Sequence, residues 1–153
     1  MPLFELLNAD RIVILVEPAD REHVLDAAAR LLAGATPDAT PAIAESLRQR
    51  ERLGSTAIGH GVAIPHGRTA AFAQARAAFL RLSPGVDFEA ADGQPVDLVF
   101  AMAVPAHFTQ QHLELLSDLA ERFGDPDFRA ALRHAPDADA LRGALLGAMS
   151  PAA

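Results

Sequence analysis

Val96 to Val104 reads VDLVFAMAV, a near-continuous apolar run broken by a single aspartate and closed by Pro105. The longest apolar stretch, Leu98 to Ala106, falls far short of the roughly 20 residues that a membrane-crossing helix requires. It is also too uniformly apolar for a strand with one face in water. The run predicts a central strand, for which the rest of the chain must supply neighbours.

Those neighbours can be read on both sides of it. Ile12 to Val16 is a row of aliphatic residues ended by Glu17-Pro18 and reads as a buried strand. Asp20 caps a helix running to about Ala33, with Val24, Ala27, Ala28, Leu31 and Leu32 on one face and Gly34 as its stop. Thr40-Pro41 begins a second helix, with Thr40 as the cap and Pro41 at the first helical position; it runs to about Leu53 and ends at Gly54. Residues 54 to 68, GSTAIGHGVAIPHGR, hold too much glycine and proline for a helix and predict short strand pieces joined by tight turns. Ala77 to Leu82 predicts a strand closed by Ser83-Pro84-Gly85, and Asp92-Gly93 another turn. A long helix is expected from about Thr109 to Phe123, with shorter ones near Asp127 to Arg133 and Asp137 to Leu146. Strands and helices interleave, so the fold class is α/β. The 153 residues show no repeat and no low-complexity linker, which predicts a single domain spanning 1–153 with residues 150–153 frayed.

Composition removes several chemistries. The chain has no cysteine, and every one of its basic residues is arginine. Thiolate catalysis, cysteine-based zinc sites, Schiff bases and a Walker-type lysine are therefore excluded. The formal net charge of −7 disfavours nonspecific attraction to nucleic acid or anionic lipid. The N-terminal MPLFELLNADR has no basic segment before an apolar run, so no signal peptide is expected and a cytoplasmic protein is the default. No G-x-S-x-G elbow or GK[ST] loop occurs.

Histidine is then the best nucleophile near neutral pH, and two of the six histidines stand out. His66 lies in Ile64-Pro65-His66-Gly67. The proline fixes the backbone before it, and Gly67 permits close approach of another molecule or an unusual dihedral. The setting suits a displayed imidazole and equally a loop histidine without function. His112 falls on the inward face Phe108, His112, Leu115, Leu116, Leu119 and Phe123 of the long helix. It is either a core histidine or one placed where a helix N-terminus favours an anion. Arg50 follows Ile43 and Leu47 on the inward stripe of the second helix, whereas Arg48 and Arg52 fall on other faces. It calls for a carboxylate partner or is reserved for a transient phosphate. Ser55 and Thr56 follow as candidate hydroxyl donors or ordinary turn residues. His60, His66 and His112 lack a recognised metal-ligand spacing and there is no H-E-x-x-H, so neither a metal nor any other cofactor is expected.

RERLGSTAIGHGVAIPHGR, Arg50 to Arg68, closely resembles the active-site signature of the IIA proteins of the phosphotransferase system, mannitol/fructose class. GQPVDLVFAMAVPAHFTQQHLELLSDLAERF, Gly93 to Phe123, resembles the nitrogen-regulatory branch of that family. The resemblance implies a small mixed β-sheet covered by helices on both faces. It implies His66 as the phosphorylated residue, His112 as the second active-site histidine and Arg50 as the arginine that stabilises phosphate. Ser55, Thr56 and Gly67 remain, from the reading of the residues, the candidate binding positions beside them. His60 stands where the family usually carries asparagine. An HPr-like phosphocarrier is implied as donor, and regulatory proteins such as a potassium transporter or a sensor kinase as targets. The alternatives are a sugar-specific IIA component that passes phosphate to a IIB partner, and a docking module that is not phosphorylated. A chain without a IIB or IIC segment leans toward the regulatory branch.

Overall fold

The computed structural model describes residues 5–107 and 110–149. Phe108, assigned above to the inward helix face, and the terminal residues 150–153 lie outside them. Along the chain run β1 (Ile12–Val16), α1 (Arg21–Ala33), α2 (Thr40–Leu53), β2 (Ala57–Gly59), β3 (Val62–Ala63), β4 (His66–Thr69), β5 (Arg76–Val86), β6 (Val96–Pro105), α3 (Gln110–Phe123), α4 (Pro126–His134) and α5 (Ala138–Met149). No helix among the described residues is long and apolar enough to cross a membrane.

The apolar run forms β6, which is central in a mixed sheet of order β1-β5-β6-β3-β2. One edge of β6 pairs antiparallel with β5. The other edge carries two short parallel strands end to end: β3 opposite Leu98 and Val99, then β4 opposite Met102 to Pro105. Ile64-Pro65 bridges them, and the Pro65 carbonyl accepts from Met102 N–H, so the edge stays bonded across the break.

Alternation along β5 and β6 divides the core in two. Ala77, Phe79, Leu98, Phe100, Met102 and Val104 pack with residues of α3, α4 and α5. Ala78, Leu80, Val99, Ala101 and Ala103 pack with α1 and α2. Helices thus cover both faces, as the resemblance implies. On the first face Phe123 stacks parallel to Phe79 with ring centroids 6.2 Å apart.

Two boundaries differ from the sequence reading, each for a local reason. Thr40 is not the cap of α2. A 3-10 turn, Pro37–Ala39, runs straight into the helix, and the Thr40 amide already donates to Pro37 O, so Ala39 takes the cap position without a side-chain bond. The strand expected to close at Ser83-Pro84 continues as β5 to Val86. Its register with β6 shifts between Arg81 and Val86, so Pro84 falls where the ladder is interrupted and its missing N–H costs no hydrogen bond there. The cap expected at Asp20 is present, with its carboxylate accepting from His23 N–H.

Gly67 sets how closely α2 lies on β4. A Cβ built at this position overlaps Ser46 Oγ and approaches Ser46 Cβ to 2.9 Å. Gly67→Ala is expected to cost about 1–3 kcal/mol of stability through overpacking. Urea unfolding measures it, and combining it with Ser46→Gly should recover part of the loss. Full additivity of the two substitutions would contradict the close-approach account.

Candidate functional site

The break between β3 and β4 places His66 at the first position of β4, opposite Met102. Its Nδ1 lies 2.8 Å from the Ile64 carbonyl. A carbonyl only accepts, so Nδ1 carries the proton and Nε2 the lone pair. A second contact demands the same tautomer: Arg50 Nε–H donates to His66 Nε2 at 3.2 Å.

Arg50 reaches this point because it continues the buried stripe of Ile43 and Leu47 into the last turn of α2. Its Nη1 donates to the Gly54 carbonyl at 2.8 Å, tying the guanidinium to the loop that follows. No carboxylate among the described residues forms an ion pair with it, in contrast to Arg48, which is held by Asp26 and Glu45. Of the two roles open to Arg50 in the sequence, the carboxylate partner is absent among the described residues.

His112 sits in the first turn of α3, only 8% exposed. Its ring meets that of His66 edge-on, centroids 5.0 Å apart at 82°. Its Nε2 is buried and has no hydrogen-bond partner among the described residues. A buried imidazole nitrogen with an unmet bond is costly unless something visits it. Together Arg50, His66, Arg68 and His112 line a cleft of about 700 Å³, whose rim carries the exposed Leu53.

Both rings are held neutral. Burial lowers the His66 pKa, the Ile64 bond partly opposes this, and the Arg50 charge lowers it further. The His112 pKa is pushed down to about 4, chiefly by burial and then by His66, Arg68 and Arg50. The site is therefore a pair of neutral imidazoles in a field of arginines, an arrangement suited to an arriving anion.

The remaining candidates take other roles. Thr56 Oγ1 and N–H both donate to the Glu51 carboxylate, and Ser55 Oγ donates to Phe88 O. Both hydroxyls hold the loop in shape and are not offered to the cleft. Gly67 admits Ser46 of α2 rather than another molecule, and it needs no unusual dihedral. His60 lies apart from the two paired histidines, in a separate cleft with Asp97 and Arg133. Its φ is +58°, a left-handed conformation that asparagine and histidine both adopt more readily than most residues, so the departure from the family's asparagine is tolerated. Among the described residues no group of three or more His, Cys, Asp or Glu is placed to hold a metal ion. Sequence reasoning passed over Arg68, although period-2 spacing from His66 along β4 puts both on one face.

The depressed His112 pKa ties stability to pH. In the unfolded chain His112 takes up a proton near pH 6.5, in the folded chain only near 4. The unfolded state thus binds more protons between these values, and stability falls as pH drops through the window, with no contribution above it. This residue is expected to remove about 2 kcal/mol between pH 7 and pH 5. His112→Gln should show a correspondingly shallower loss in urea unfolding at the two pH values. An equal loss in both proteins would contradict the assignment.

The profile of the phosphoenolpyruvate-dependent sugar phosphotransferase system, EIIA 2, matches residues 5–146. A nitrogen regulatory protein of Pseudomonas aeruginosa is 41% identical over 91% of this chain and 91% of its own length. The fructose-specific EIIABC component of Bacillus subtilis is 38% identical over 92% of this chain, which corresponds to 22% of that longer protein. The crystal structure of the nitrogen regulatory protein IIA-Ntr from Neisseria meningitidis superposes with a TM-score of 0.84 at 38% identity, covering 94% of this chain and 98% of that one. With a profile match over almost the whole chain and two nitrogen regulatory proteins aligned along more than nine-tenths of their length, the chain belongs to the type-2 EIIA family of the phosphotransferase system, among relatives of the nitrogen-regulatory branch.

Proposed function

We propose that this chain is a regulatory phosphohistidine carrier that accepts a phosphoryl group on His66 from an HPr-like protein in the cytoplasm. The observation that carries the proposal is the bond from His66 Nδ1–H to the Ile64 carbonyl. It leaves the lone pair on Nε2, which faces Arg50. In transfer, Nε2 forms a bond to phosphorus as the P–N bond of the donor phosphohistidine breaks. The proton stays on Nδ1, and the Ile64 carbonyl that accepts from it stabilises the positive charge that develops on the ring. Arg50 passes from Nε2 to a phosphoryl oxygen, which a guanidinium grips in planar geometry. The unpartnered Nε2 of His112, carrying a proton in the neutral ring, donates to another oxygen. Positioning and charge stabilisation supply the catalysis. Donor and product are both phosphohistidines, so the step is reversible and near balance. EIIA domains are phosphotransferase components, and this chemistry is the form that activity would take here.

The regulatory output is supported by the likeness to nitrogen regulatory proteins over nearly their whole length. A dianionic group on His66 changes charge and hydrogen bonding at the mouth of the cleft. Partner affinity would then differ between the two forms by up to a few kcal/mol, with regulatory targets such as a potassium transporter or a sensor kinase. The identity with a fructose-specific EIIABC component supports a second reading, delivery of phosphate to a sugar-specific IIB protein.

Incubation with a phosphorylated HPr-like carrier should add one phosphate to the intact mass, labile in acid and stable in alkali. His66→Ala should abolish the gain. Arg50→Ala or His112→Ala should slow it by about ten- to a hundredfold, roughly 1–3 kcal/mol of transition-state stabilisation. Phosphate on the His66→Ala protein would overturn the assignment. Pull-downs with the two forms should retain different partners. Equal retention, together with ready transfer to a sugar-specific IIB protein, would replace the regulatory reading with the sugar-transport one.

A further inference from the structure

Glu51 continues the stripe Ile43, Leu47 at four-residue spacing and is 5% exposed. A buried carboxylate is costly unless it is paired or hydrogen-bonded. None of the ion pairs among the described residues involves Glu51. Both of its oxygens are taken by one residue: Thr56 N–H donates to Oε2 at 2.8 Å and Thr56 Oγ1–H to Oε1 at 2.6 Å. The carboxylate at the end of α2 therefore folds the following loop back onto its own helix.

Two short chains of bonds run from that clamp to the reacting groups. The Thr56 carbonyl accepts from Ile64 N–H at 3.0 Å, and the Ile64 carbonyl accepts from His66 Nδ1–H at 2.8 Å. On the other side Gly54, two residues before Thr56, holds Arg50 Nη1 through its carbonyl. The ring orientation of His66 and the aim of Arg50 thus share one anchor.

We propose that Glu51 is a positioning residue for phosphoryl transfer at His66, clamping Thr56 so that the Ile64 carbonyl orients the imidazole and the Gly54 carbonyl orients Arg50. This rests on the reading of His66 as the phosphorylated residue. Glu51 also carries a charge that opposes Arg50 at His66, and substitution separates the two contributions. Glu51→Gln keeps the clamp: its amide oxygen accepts from Thr56 N–H and its NH₂ donates to Thr56 Oγ1, with the charge gone. Glu51→Ala removes both.

The experiment reads the His66 tautomer by ¹⁵N NMR in the unphosphorylated full chain, and the rate and donor dependence of phosphorylation by a phosphorylated HPr-like carrier. Wild type and Glu51→Gln should show the Nδ1–H tautomer and rates within a few-fold of each other. Glu51→Ala should show mixed tautomers and a maximal rate lower by about ten- to a hundredfold, with the donor concentration for half-maximal rate little changed. A folded Glu51→Ala protein with the wild-type tautomer and rate would overturn the proposal, as would Glu51→Gln slowed as much as Glu51→Ala. If Glu51→Ala does not fold, Thr56→Val removes the hydroxyl arm at constant volume and should slow transfer several-fold; a wild-type rate there overturns the proposal. If even the wild-type protein takes no phosphate, the carrier reading fails, while the tautomer comparison still decides the role of Glu51.

Discussion

One edge of β6 is shared by two strands laid end to end, and the site hangs from the break between them. β3 pairs at Leu98 and Val99 and β4 resumes at Met102. Proline suits the junction, because a residue without an N–H loses nothing where the ladder is interrupted, while its carbonyl still bonds Met102. The break turns the Ile64 carbonyl toward the His66 ring instead of into the sheet. A backbone acceptor inside a packed sheet holds an imidazole more rigidly than a side chain could. Which ring nitrogen keeps its lone pair is thereby chosen by the fold.

Two helices from opposite faces of the sheet complete the arrangement. α2 brings Arg50 from one core and α3 brings His112 from the other. The packing that sets their distance to His66 is the same packing that stabilises the molecule: Gly67 admits α2 closely, and Leu115, Leu119 and Phe123 seat α3. The site is electropositive although the chain carries a net charge of −7. Arg50 and Arg68 line the cleft while Glu51 is buried and clamped by Thr56, so the local charge there is opposite in sign to that of the whole chain.

Much of this is legible in the residues. The apolar run marks the central strand, and helical spacing puts His112 and Arg50 on inward faces before any contact is known. Proline and glycine mark His66 as a residue at a rigid junction. What escapes sequence reasoning are the competitors for a hydrogen bond. Thr40 looks like a cap until a preceding turn satisfies its amide. Ser55 and Thr56 look like hydroxyl donors to a phosphate until Phe88 and Glu51, the latter buried, claim their hydroxyls. Ser83-Pro84 looks like a strand end until the register shift that accommodates proline is visible. Each depends on a partner brought close by the fold, or on a geometry that local pattern does not encode. Gly67 is similar: its smallness serves Ser46, a residue of the neighbouring helix.

The central claim is that the Ile64 carbonyl selects which nitrogen of His66 reacts, and the position of the phosphoryl group on the ring tests it most directly. The protein phosphorylated by its carrier can be studied by ³¹P–¹⁵N NMR with labelled histidine. The account predicts phosphorus bonded to Nε2 of His66, with Nδ1 still protonated and bonded to Ile64. Phosphorus on Nδ1 would mean that the Ile64 bond is broken in the reaction, and would contradict it.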